Sequence, residues 1–116
     1  MEELQQNLAE AQAKNQWLML DFYADWCASC QEMALDTFAD PRVRAALSQA
    51  VLIQADVTHN LPTDQALLRQ FNLTGPPAIL FFGPDQQERS AYRVVGYLKA
   101  DEFLDIINRV FPKPAS

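Results

Sequence analysis

Cys27 and Cys30 are the only cysteines in the chain, and they lie three residues apart directly behind an apolar run. Cysteines at i and i+3 reach each other only in tight local geometry, such as the first turn of a helix. The run ahead of them, Trp17-Leu18-Met19-Leu20-Asp21-Phe22-Tyr23, is rich in aromatics and interrupted only by Asp21. That pattern predicts a strand buried on both faces. A turn at Ala24-Asp25-Trp26 and a helix over residues 27–37 follow. A dithiol at a strand-to-helix junction is a far stronger signal than the bare spacing.

The rest of the chain continues the alternation. Leu4, Leu8 and Ala11 recur at helical spacing, so residues 3–14 read as a first amphipathic helix. Asp40 before Pro41 is an N-cap and first-turn signal for a helical piece over 41–48. Val51-Leu52-Ile53-Gln54-Ala55-Asp56 reads as a second buried strand. Thr63-Asp64 opens a helix with Ala66, Leu67, Leu68 and Phe71 on its apolar side. Thr74-Gly75-Pro76-Pro77 is a turn, and Ala78-Ile79-Leu80-Phe81-Phe82 is a third core strand, ended by Gly83-Pro84-Asp85. Tyr92-Arg93-Val94-Val95 suits a short strand with an antiparallel partner. Asp101-Glu102 lead a last helix through Phe103, Leu104, Ile107 and Val110, stopping before Pro112. The expected fold is α/β: one domain over 1–116, with a central mixed sheet flanked by helices on both faces.

Composition narrows the function. With 116 residues, 49% hydrophobic and 21% charged, the chain suits a single globular domain. Its net charge of −6 repels phosphate backbones and disfavours nucleic acid or an anionic membrane surface as partner. No apolar run approaches the roughly 20 residues needed to span a bilayer. The polar segment from Met1 to Asn15 has no signal-peptide core. The acidic surface makes a monomer the expectation. Two cysteines cannot staple a fold, and with His59 far away in sequence they cannot complete a zinc site.

The chemistry therefore falls to the pair itself. At an exposed helix start, unpaired backbone N–H groups and the positive end of the helix dipole favour a thiolate at Cys27, with Cys30 one turn further in. Such a thiolate attacks a partner disulfide, and Cys30 resolves the mixed disulfide. An inert structural disulfide is the bland alternative, but a loop this short adds little stability. Asp21 is the second candidate. A carboxylate in an apolar strand is costly, and burial near Cys30 raises its pKa into the range of a proton carrier. The alternative places it facing out at a sheet edge. Pro77, at the start of a core strand, is a candidate cis-proline that holds a partner-binding loop against the dithiol. Trp26, Ala28, Ser29 and Pro76 would shape the partner surface. Glu32 reads either as a solvated helix charge or as a tuner of the thiols. Met19, Met33, Phe38, Phe81 and Phe82 read as core, and His59, Arg42 and Arg44 as surface.

The segment Phe22-Tyr23-Ala24-Asp25-Trp26-Cys27-Ala28-Ser29-Cys30, with Asp21 before it and Pro77-Ala78-Ile79-Leu80-Phe81-Phe82 after it, resembles the thioredoxin superfamily over nearly the whole chain. Four features resemble more narrowly the C-terminal domains of the bacterial DsbD family. They are Ala24-Asp25-Trp26-Cys27-Ala28-Ser29-Cys30, Thr37-Phe38-Ala39-Asp40-Pro41-Arg42-Val43, Ala55-Asp56-Val57-Thr58-His59-Asn60 and Arg93-Val94-Val95-Gly96-Tyr97. The resemblance implies a thioredoxin fold and a protein-disulfide reductase with Cys27 as nucleophile, Cys30 as resolving cysteine, Asp21 as buried acid and Pro77 as cis-proline. It implies no cofactor beyond the redox-active Cys27–Cys30 disulfide. It also implies a place on the periplasmic side of the bacterial inner membrane, as a domain excised from a membrane protein. A transmembrane domain would be its electron donor. An N-terminal domain would be its acceptor and would pass electrons to disulfide isomerases and cytochrome c maturation proteins.

The chain departs from such relatives in three places. Pro76 precedes Pro77, Ala78 replaces the usual threonine, and Ala34 stands where some relatives carry a further acid. Without that acid, the resemblance implies a dithiol more reactive at neutral pH. The competing readings are a free-standing thioredoxin-like reductase, an oxidase that introduces disulfides, and a binding module with idle thiols. The acidic residues Asp21, Asp25 and Glu32 around the pair argue against an oxidase.

Overall fold

The computed structural model describes residues 16–85 and 87–111. The helix expected over 3–14 lies outside the described residues. Strand β1 (Trp17–Tyr23) is the axis of the fold. It pairs in parallel with β2 (Ala50–Asp56) and antiparallel with β3 (Ala78–Phe82), and β3 pairs antiparallel with β4 (Val94–Val95). The sheet order is β2-β1-β3-β4, so the sheet is mixed.

The two-residue period of a strand sorts β1 between two cores. Leu18, Leu20 and Phe22 join a cluster with Val57 and with Leu67 and Leu68 of the helix α3 (Pro62–Gln70). On the opposite face Met19 joins Val43 and Leu47 of α2 (Pro41–Leu47), and Phe103 and Ile107 of α4 (Ala100–Val110). Asp21 shares the parity of Met19 and so faces the α2 side. The helix α1 (Ala28–Asp36) belongs to both cores, with Cys30 in the first and Met33 in the second.

Local signals fix the helix ends. The Asp40 side chain accepts from the Arg42 backbone N–H at 2.8 Å, and Pro41 occupies the first helical turn. Asp64 accepts from the Leu61 N–H at 2.9 Å, which starts α3 slightly ahead of Thr63. Asn72, at φ 58, reverses the chain after α3. Thr37 is fully buried, and its hydroxyl donates to the Leu98 carbonyl at 2.5 Å, tying the end of α1 to the approach of α4.

Two expectations need correction. The second strand is not buried on both faces. β2 is an edge strand of alternating exposure, and Leu52 is 54% exposed. The strand expected over residues 92–95 is shorter, because a 3-10 turn (Ser90–Tyr92) takes its start and leaves only Val94–Val95 to pair. The Tyr92 and Arg93 backbone N–H groups close that turn on the Arg89 and Ser90 carbonyls, at 2.9 and 3.3 Å, in place of a neighbouring strand. The Arg93 guanidinium forms a two-pronged pair with Glu88, at 2.5 and 2.7 Å, and donates to the Phe71 carbonyl at 2.7 Å.

Candidate active site

The dithiol sits where β1 hands over to α1. The chain turns after Tyr23, and the Cys27 N–H closes that turn on the Ala24 carbonyl at 3.1 Å. Cys27 is the N-cap of α1, and its Sγ accepts from the Cys30 backbone N–H at 3.2 Å. This sulfur therefore takes the place of the usual Ser or Asp oxygen at a helix start. Both cysteines are unbonded.

The expected exposure of Cys27 is not found. Cys27 and Cys30 are each 6% exposed and pack into the same core cluster as Ala24, Val57 and Leu68. Between them Ala28 is exposed and Ser29 half-buried. Burial pushes the Cys30 thiol up to about 12. Its contacts with Cys27 and the charge of Asp21 act in the same direction, and a backbone hydrogen bond at Ala24 opposes them.

Asp21 lies beneath this pair. It lines a small cavity of about 60 Å³ together with Cys30, Met33, Ala34, Gln54 and Pro77. Its carboxyl is pushed up to about 7 by burial. The alternative of an Asp21 facing out at a sheet edge is excluded, because β1 is an interior strand. Ala34 contributes only a methyl group to the cavity wall, so Asp21 is its one carboxyl among the lining residues.

Across the cavity, the Pro76–Pro77 peptide is cis. The Pro77 carbonyl accepts from the Gly96 N–H at 3.1 Å, and Gly96 sits at φ 97, where a side chain is disfavoured. Pro76 lines a groove of about 370 Å³ that includes Trp26, Asn60, Thr74 and Gly75. Trp26 is 62% exposed, yet it is not loose: its indole N–H donates to the Thr58 carbonyl at 2.9 Å.

Glu32 is not brought to the thiols. It is exposed and acts on Tyr97 together with Asp36 and Glu102. Thr58 is the residue that sequence reasoning missed. Its hydroxyl accepts from the Asp25 N–H at 2.9 Å, and its own N–H donates to Asp56 at 2.9 Å. One side chain thus ties the loop after β2 to the turn that carries Cys27. The available signal was Asp56 two residues ahead of Thr58, the spacing of an Asx turn. Among the described residues, no group of three His, Cys, Asp or Glu side chains could hold a metal ion.

A dithiol capping a helix, a carboxyl buried below it and a cis-proline facing it define a thioredoxin-like protein. Residues 1–84 match the family model described as thioredoxin-like. Among curated proteins, the thiol:disulfide interchange protein DsbD of Ralstonia nicotianae is 50% identical over 107 residues, covering 92% of this chain and 17% of the relative. The DsbD of Escherichia coli K12 is 48% identical over 103 residues, covering 89% and 18%. Among solved structures, the reduced C-terminal domain of Neisseria meningitidis DsbD superposes with a TM-score of 0.83 at 35% identity, covering 94% of this chain and 95% of that one. A thioredoxin from Thermus thermophilus follows at 0.78 and 29%, covering 90% and 81%. The chain belongs to the thioredoxin-like family and, within it, to the DsbD C-terminal domains. It spans about a sixth of the length of the curated relatives it matches. Among the described residues, no helix is long and apolar enough to cross a membrane.

Proposed function

We propose that residues 1–116 form one domain that relays electron pairs as a protein-disulfide reductase, with Cys27 as nucleophile and Cys30 as resolving cysteine. The observation that carries this reading is the shared cavity, which sets Asp21 against the inner thiol at the foot of a helix-capping cysteine. In the reducing direction the Cys27 thiolate attacks a partner disulfide. One partner sulfur leaves as a thiolate and takes a proton from solvent. Cys30 gives its proton to Asp21 and attacks Cys27, so the Cys27–Cys30 bond forms and the second partner sulfur departs. Two electrons pass to the partner. Once Cys27 is in a mixed disulfide, its thiol no longer raises the pKa of Cys30, which makes the inner proton easier to remove at that stage.

The groove beside Trp26 and Pro76 would receive the extended segment that carries the partner disulfide, with Ala28 and Ser29 at its rim. Kinship with DsbD supports a donor in a transmembrane domain, an acceptor in an N-terminal domain and a place on the periplasmic face of the bacterial inner membrane. The bond between the cysteines serves as the only redox group.

Two measurements test the reading. Cys30→Ser should accumulate a stable mixed disulfide through Cys27, whereas Cys27→Ser should trap none. Equilibration with thiol–disulfide buffers should give a potential near the roughly −270 mV of thioredoxin or moderately above it. A value near −120 mV would instead assign the domain as an oxidase.

A further inference from the structure

Asp25 and Trp26 are both exposed, between the buried residues Ala24 and Cys27. One backbone bond closes this turn, from the Cys27 N–H to the Ala24 carbonyl. Its middle is held by side chains from outside. The Asp25 N–H donates to the Thr58 hydroxyl at 2.9 Å, and that hydroxyl donates in turn to the Asp56 carboxylate. The Asp25 carbonyl accepts from the Gln31 side-chain amide at 3.3 Å. The same nitrogen, which carries two hydrogens, donates to the Tyr23 hydroxyl at 2.8 Å. The place of Gln31 in α1 explains its reach. Its backbone N–H makes the first i to i−4 bond of the helix, to the Cys27 carbonyl at 3.1 Å. Helical side chains lean toward the N-terminal end, so an amide at this position extends back over the turn. Tyr23, the last residue of β1, meets it there.

We propose that Gln31 is a positioning residue for partner capture. Anchored by Tyr23, it holds the Asp25–Trp26 peptide from the α1 side while Thr58 holds it from the other, and so fixes the Trp26 wall of the groove. The inference rests on the proposed seating of the partner segment beside Trp26 and Pro76. Trp26 is 62% exposed, and among the described residues its side chain makes one hydrogen bond, from the indole N–H to the Thr58 carbonyl. Its place therefore depends on the backbone that carries it. A wall already set in the empty groove leaves less order to be imposed on binding, which strengthens capture. The Gln31 side chain bonds to the turn and to Tyr23, not to either sulfur. Its loss therefore weakens the hold on the partner more than the reactivity of Cys27.

Single turnovers of the reduced protein over a range of insulin concentrations separate capture from chemistry. Gln31→Met keeps the length of the side chain and removes its donors. Its half-saturating insulin concentration should rise about fivefold, the effect of one modest hydrogen bond, with the limiting rate little changed. The Trp26 indole N–H should also exchange with solvent faster by NMR. With glutathione disulfide, which needs only the Cys27 sulfur, the loss should be much smaller. Tyr23→Phe should act in the same direction, and adding it to Gln31→Met should cost nothing more, because both break one network. An unchanged half-saturation in Gln31→Met overturns the proposal. So does an equal loss with both oxidants, which would locate the damage in the dithiol, and so does full additivity of the two changes, which would leave Gln31 without its anchor. Trp26→Ala separates the two levels. If it leaves the half-saturation unchanged, the groove is not the seat of the partner, and the role of Gln31 falls with it. If it raises that value while Gln31→Met behaves as the parent, only the role of Gln31 fails.

Discussion

Asp21 works against the stability of the domain that holds it. An ordinary Asp carboxyl titrates near 3.8, and burial moves this one to about 7. Between those values the folded state keeps a proton that the unfolded state has released. Stability therefore falls as pH rises through this window, and the full penalty is present above about 7. A displacement of this size corresponds to roughly 4 kcal/mol. Asp21→Asn, which keeps the shape of the neutral acid, should be more stable than the parent by an amount of that order at pH 8. Denaturant unfolding should show the gap closing as pH falls toward 4. Equal stabilities at pH 8 would mean that the carboxyl is not buried as described. At this scale the sequence was partly legible. Asp21 announced itself as a charge in an apolar strand, and Cys27 and Cys30 by their spacing. Thr58 did not, because its partners Asp25 and Trp26 are more than thirty positions away in sequence and only the fold brings them near. The burial of Cys27 was also hidden, since it depends on the packing of Val57 and Leu68 from another part of the chain.

Individual elements reported themselves according to how local their causes are. α2 was legible because Asp40 and Pro41 act within one turn, and β3 because its five residues are all buried. β2 misled, since an apolar run reads the same at an edge as in the interior, and sheet order is set by the whole topology. β4 misled because the backbone at Tyr92 and Arg93 closes a 3-10 turn instead of pairing. The side chain of Arg93 gives a test at this scale. Arg93→Ala leaves Glu88 without its cation and the Phe71 carbonyl at the end of α3 without its donor. Hydrogen bonds to charged groups contribute about 1.5–3 kcal/mol, so the denaturation midpoint should drop accordingly. Arg93→Lys should recover only a small part, because an ammonium cannot reproduce the two-pronged geometry. Full recovery by Lys would show that charge alone matters there.

The molecule as a whole depends on two cores separated by a single four-stranded sheet. Phe81 is fully buried and meets the rings of Phe103 and Phe111 at centroid distances of 6.2 and 5.7 Å, so it joins β3 to both ends of α4. Phe81→Ala should cost about 3–5 kcal/mol, a large share of the 5–15 kcal/mol that holds an ordinary domain together. The loss should appear in thermal unfolding of reduced and oxidised protein alike, because the ring lies on the face away from the cysteine cluster. A loss confined to one redox state would contradict that separation.

The near-complete burial of both sulfurs has a consequence of another kind. A carrier of electron pairs that works among many disulfides is useful only if it discharges at the intended terminal. Here the conductor is sheathed: Cys27 and Cys30 are each 6% exposed and packed among Ala24, Val57 and Leu68. The covering thus acts as insulation: a disulfide that merely collides with the domain finds little sulfur to touch, and only a surface fitted to this site closes the circuit.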